Sequence, residues 1–251
     1  MRAVGPPALR DLLAGIDAID ARAPVHIHIA EQQLEVDDCV AWSGRRPVEW
    51  LLDHAPVDAR WCLVHATHVS ADERRAVAAS GAVVGLCPTT EANLGDGVFD
   101  AAAYDVEGGH WGIGSDSQAC VGAADELCLL EYTQRLAQQR RNVMATAAHP
   151  NVAEHLWLRA VAGGARASAR EIGALAAGRQ ADFVVLDADA GMDALTPAQQ
   201  LASLVFARHG GSAVRDVWVG GRPCIRARAH ELDRSSRDAF AAARRQLLAG
   251  A

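Results

Sequence analysis

The stretch VHIHIAEQ, from Val25 to Gln32, ends an apolar run in two histidines and a glutamate, with His28 three residues ahead of Glu31. Its alternating pattern reads as a strand, and the polar residues stand where that strand gives way to a loop. The texture recurs in WCLVHA (61–66), AVVGLCP (82–88) and WGIGSD (111–116). Helical segments lie between these runs, among them PVEWLLDHA (47–55) and ADERRAVAASG (71–81), and ALRDLLAGIDAIDAR (8–22) precedes the first. Short strands alternating with amphipathic helices predict βα units on a parallel sheet.

Further helices are expected over 123–144 and 152–162. From Gly173 the pattern changes: GALAAGRQADFVVLDAD (173–189) and VRDVWVGGRPC (214–224) read as paired strands with Gly and Pro at their turns. A helix is expected between them at 197–208, and another in the tail from Arg234. Two modules follow, a βα portion over 1–170 and a smaller one over 171–251.

Composition narrows the function. A formal charge of −7, with 24 basic residues scattered among 31 acidic ones, offers no basic patch for nucleic acid or an anionic membrane. The N-terminal residues show no signal-type apolar core, and the chain has no run of about 18 apolar residues. The expectation is a cytoplasmic protein acting on a small molecule. The six cysteines form no CxxC pair and read as buried thiols.

Chemistry concentrates at the strand ends. His28 closes the first strand, His65 the second and Asp116 the fourth, while the third runs into CPTTEANLGDG (87–97), read as a loop. On a parallel α/β barrel the C-terminal strand ends share one face, so these side chains are expected to converge. Taken singly, His65 reads first as a hydrogen-bonded structural histidine, and Asp116 can be read as a helix cap, since SDSQ precedes a helical stretch. His26 is assigned a structural place on the opposite strand face from His28, and His68 a place in a loop. Asn93, Gly95 and Gly97 are expected to shape a loop, and Gln118 is given no role.

HxxE at one strand end, the histidine of LVHATH at the next, CPTxxxNLGxG and then GSDS resemble strands 5 to 8 of zinc-dependent deaminases in the amidohydrolase superfamily. The stretches HIHIAEQ, RWCLVHATHVS and LCPTTEANLGDGVFD are similar to the formimidoylglutamate deiminases within it. The resemblance implies the C-terminal half of a (β/α)8 TIM-like barrel, with residues 171–251 contributing to a small β-sandwich. It makes His28 a zinc ligand, Glu31 the proton shuttle, Asp116 both ligand and base, and gives His65 a hydrogen bond to the metal-bound water or the developing tetrahedral centre. The opening MRAV is similar to a segment after strand 4, which makes Arg2 a clamp for a substrate carboxylate.

The superfamily's HxH pair from strand 1 has no counterpart besides His26 and His28, and HIHIAE followed by LVHATH, CPTT and GSDS places that pair at strand 5. The expectation is a chain that starts at strand 5, holds one Zn²⁺ weakly or not at all by itself, and works as a homodimer or with a separate N-terminal half. A truncated sequence, a misplaced start and a split gene all remain open. So do a guanine- or purine-type aminohydrolase and a catalytically dead scaffold.

Overall fold

The computed structural model describes residues 4–187, 192–207 and 213–249. Two compact units emerge, one of residues 1–170 with 196–207 and one of 171–195 with 208–251. In chain order the elements begin α1 (Pro6–Asp20), β1 (Val25–Ile29), α2 (Gln33–Ser43), α3 (Pro47–His54), β2 (Trp61–His65), α4 (Ala71–Ser80) and β3 (Val83–Leu86). They continue α5 (Pro88–Leu94), α6 (Ala101–Val106), β4 (His110–Ile113), α7 (Ala123–Gln138), α8 (Val152–Ala167), β5 (Phe183–Leu186), α9 (Pro197–Phe206), β6 (Val214–Val219), β7 (Arg222–Ile225) and α10 (Asp233–Ala249).

In the first unit β1 to β4 pair in sequence order, every pairing parallel. Register sets Ile29 beside His65 and Leu86 beside Ile113, so the strands finish together at one end. Helices between them bury Leu51, Val77 and Tyr104, and Ile29, Leu63, Leu86 and Trp111 are fully or almost fully buried on the strands. Each such side chain contributes about 1.5–3 kcal/mol of apolar burial.

Local sequence explains the helix ends. The Ser70 hydroxyl accepts from the Glu73 N–H at 3.2 Å, and the Glu73 carboxylate accepts from the Ser70 N–H at 2.7 Å, a capping box at the start of α4. Gly81 ends that helix at φ 76°. Its carbonyl accepts from Arg166 of α8 through Nε and Nη2, at 3.1 and 2.8 Å.

Helix α8 lies so close to β4 that a Cβ on Gly163 would meet the Trp111 carbonyl oxygen at 1.8 Å and the Gly112 nitrogen at 2.8 Å. Backbone cannot yield as a flexible side chain would. Gly163→Ala is therefore expected to cost about 2–3 kcal/mol by overpacking, read as a lower urea midpoint at an unchanged slope.

Beside this contact the buried Asp105 carboxylate accepts from His155 Nε2 at 2.8 Å, Trp111 Nε1 at 3.1 Å and Arg159 Nε at 2.7 Å. Burial works against the ionised form, but the His155 and Trp111 hydrogen bonds and the Arg159 charge outweigh it and hold the carboxyl below its ordinary value. A carboxylate whose folded pKa is depressed stabilises above its unfolded pKa of about 3.9, and this contribution disappears as pH falls through the folded value. The stability gap between the parent and Asp105→Asn, measured by urea unfolding, should be wide at neutral pH and close in acid below ~3.9.

The second unit is an antiparallel sheet in the order β5, β6, β7. Gly220 and Gly221 join β6 to β7 with φ 57° and 75°, the paired positive values a type I′ hairpin turn requires. Pro223, which lacks a backbone donor, stands on the edge strand β7. Phe183 stacks on Trp218 at 5.5 Å across the β5–β6 pairing.

Several expectations are corrected. Residues 87–97 are not all loop, since Pro88–Leu94 form α5. The helix expected over 123–144 stops at Gln138 and is followed by Gln139 at φ 54°, while the next runs on to Ala167. Gly122 is the N-cap of α7, so Asp116 does not cap that helix. Cys39, Cys62, Cys87 and Cys128 are buried and in no disulfide, but Cys120 and Cys224 are exposed. Burial lifts the Cys62 thiol to about 11. His26 and His28, two residues apart on β1, share a strand face instead of opposing one another. Both are exposed, and His26 Nε2 donates to the Ala167 carbonyl at 2.8 Å.

Candidate active site

At the C-terminal ends of the parallel strands the backbone turns sharply. Ala30, His65, Ala66 and Asp116 all adopt positive φ, at 49°, 68°, 50° and 51°. Non-glycine residues enter this region at a cost that the surrounding packing must overcome, and they gather where a side chain has to be aimed. His65 is wholly buried.

These turns bring together four side chains singled out in the sequence. His28 Nε2 lies 3.8 Å from Asp116 Oδ1, and His65 Nε2 lies 3.9 Å from Asp116 Oδ2 and 3.6 Å from Glu31 Oε1. The His28 and His65 rings are 5.2 Å apart. One donor atom each from His28, His65 and Asp116 falls within a common 4.8 Å. Arg2 lies outside the described residues.

His65 Nε2 is buried with no hydrogen-bond partner among the described residues. A buried ring nitrogen without a partner loses the solvation that it would have in water, so a ligand that takes its lone pair or accepts its proton relieves that cost. Two imidazoles and a carboxylate also form the nitrogen and oxygen donor set that suits Zn²⁺. The residues present fit that ion.

His65 Nδ1 faces the Glu91 carboxylate at 3.2 Å. Burial opposes protonation of His65, but the Glu91 hydrogen bond and charge, with the charges of Glu31 and Asp116, outweigh it and raise its pKa. Glu91 had fallen in an unassigned position of CPTxxxNLGxG. Helix α5 carries it to His65, and neighbouring bonds hold that helix: the Thr90 hydroxyl donates to the Ser115 carbonyl at 2.8 Å, and the Thr89 N–H donates to Glu126 of α7 at 2.9 Å. The first of these also ties down the residue before Asp116. Gln118 Nε2 donates to the Thr89 carbonyl at 3.2 Å, a support that the sequence did not assign.

The loop beyond α5 is shaped by Gly95 and Gly97, at φ 72° and 132°. His68 Nε2 donates to the Asp96 carbonyl at 2.6 Å, joining the segment after β2 to this loop. Asn93 is exposed on α5.

A family model described as the amidohydrolase family matches residues 2–224. The chain belongs to the amidohydrolase family. Among curated amidohydrolase relatives, formimidoylglutamate deiminase of Pseudomonas aeruginosa is 48% identical over 241 residues, covering 96% of this chain and 52% of that protein. A crystal structure of an amidohydrolase from Brucella melitensis superposes with a TM-score of 0.91 at 47% identity, covering 98% of this chain and 53% of the other. An adenosine deaminase from Xanthomonas campestris with bound zinc superposes with a TM-score of 0.84 at 25% identity, covering 99% of this chain and 55% of the other. The chain thus spans about half the length of the amidohydrolases it matches.

Proposed function

We propose that these residues form the strand 5 to 8 part of a deiminase site that hydrolyses N-formimino-L-glutamate to N-formyl-L-glutamate and ammonia. The observation that carries this reading is the convergence of His28, His65 and Asp116 from three separate strand ends, their donor atoms within 4.8 Å, with Glu31 at 3.6 Å from His65. The relative named a formimidoylglutamate deiminase, at 48% identity, supports the choice of substrate.

His28 and Asp116 would hold the zinc, with His65 near enough to be recruited. Bound zinc polarises water and lowers its pKa toward ~7. Asp116 takes a proton from the attacking water. The water oxygen adds to the formimino carbon as the C=N π pair moves to nitrogen, and His65 Nε2 hydrogen-bonds to the oxygen of the tetrahedral centre. Glu31, charged with a proton, delivers it to that nitrogen, Asp116 passes on the proton it took from the water, and as the hydroxyl proton returns to Glu31 the C–N bond breaks to ammonia and the carbonyl forms. Arg2 is assigned the substrate carboxylate, a role that a neutral purine would not need.

Further zinc ligands of the superfamily's HxH type would come from polypeptide beyond these residues, from a separate N-terminal half or from a second copy in a homodimer. No helix among the described residues is long and apolar enough to cross a membrane. A cytoplasmic setting suits a metabolic hydrolase with free thiols.

Ammonia release by the zinc-loaded protein, assembled with polypeptide that supplies the HxH ligands, decides among the readings. Turnover of formiminoglutamate in clear preference to guanine and methylthioadenosine is the expected result. Preference for a purine would transfer the site to the aminohydrolases, and zinc binding without turnover of any of them would leave a scaffold.

A further inference from the structure

We propose that Glu91 is the positioning residue of this site, holding a proton on His65 Nδ1 so that Nε2 is the nitrogen presented to Glu31, Asp116 and the reacting centre. The inference rests on the deiminase reading for its catalytic consequence, but the geometry belongs to the protein in any case. Glu91 Oε1 lies 3.2 Å from His65 Nδ1 and also accepts the Cys87 N–H at 2.9 Å, so the carboxylate is fixed by the strand-to-helix turn that carries it. Both side chains are buried, with Glu91 6% exposed. The Cys87 N–H already donates to the same Glu91 oxygen, which is thereby an acceptor, and an acceptor 3.2 Å from Nδ1 calls for the hydrogen on Nδ1.

The other face of the ring makes the distinction matter. Nε2 has no hydrogen-bond partner among the described residues, yet it is the nitrogen that points to Glu31 and Asp116. A neutral imidazole with the opposite tautomer would present an N–H there and face Glu91 with a lone pair, two acceptors meeting in a buried site. The bond partner of one ring nitrogen thus determines what the other can do. Cys87, beside them, takes no part, since burial raises its thiol far above neutrality and it remains protonated.

Selective ¹⁵N-histidine labelling of the zinc-free chain tests this directly. The parent should show a downfield, slowly exchanging Nδ1–H resonance that disappears in His65→Gln. Glu91→Gln keeps the shape and the Cys87 N–H acceptor but removes the charge. That resonance should then move upfield and exchange faster, with the circular dichroism unchanged. In the zinc-loaded protein the same substitution should lower kcat by a factor of ~10 or more at an unchanged KM.

A parent spectrum with bare Nδ1 and protonated Nε2 would overturn the proposal, and so would a Glu91→Gln spectrum identical to the parent's. The parent measurement decides even should the variant fail to fold. Absence of ammonia release from the parent would instead remove the deiminase reading while leaving the spectrum to judge Glu91.

Discussion

Placed in a reconstituted full-length protein, Glu31→Gln is expected to leave zinc content unchanged while lowering turnover by a factor of ~10² or more, the range for losing a positioned general acid or base. Glutamine keeps the size and one oxygen acceptor of glutamate, so the strand end and the Glu31 N–H bond to Glu35 at 3.1 Å should survive. What it loses is the ability to take up and release a proton near His65. Glu31 is not among the three groups whose donor atoms cluster within 4.8 Å, which is why metal retention and loss of turnover should separate. Metal analysis of the purified variant and ammonia release under saturating substrate check the two halves independently. Near-parent turnover would take the proton shuttle away from Glu31, and loss of zinc would make it a ligand instead.

Asp116→Asn should have the larger effect, with turnover down by a factor of ~10³ or more and zinc held more weakly, because one carboxylate is assigned both a ligand's charge and the base's proton. Its oxygens lie 3.8 Å from His28 and 3.9 Å from His65. Asparagine tolerates the left-handed backbone nearly as well as aspartate, so the residue's φ of 51° should persist and the loss should be chemical. Alanine at this position would add backbone strain and confuse the two. Competition with a metal chelator measures the zinc affinity, and unchanged affinity with lost turnover would leave Asp116 only the base.

His28, His65 and Asp116 were legible because a strand is a local object with a short period, whereas the role given to Glu31 came from the family resemblance. An apolar run that stops at a histidine or an aspartate declares where the side chain is placed along the sheet, and parallel pairing in sequence order puts those ends at one edge. Glu91 was not legible. Its distance from His65 is 26 residues along the chain and 3.2 Å in space, and it arrives there through a seven-residue helix in a stretch whose Pro, Asn and Gly content reads as loop. The exposure of Cys120 and Cys224 likewise depends on which loop and strand edge they occupy, which thiol spacing does not encode.

The sequence by itself determined the alternation of strands and helices, the change of texture near Gly173 and the placement of His28, His65 and Asp116 about the strand ends, since hydrophobic period and terminal residue type are local properties. Only the tertiary structure decided how deep each group lies, which ring nitrogen of His65 is partnered and which is left bare, and that α8 approaches β4 within the space a glycine leaves. Those outcomes depend on distances between segments far apart in the chain, and they are set by packing and backbone turns that no single stretch contains.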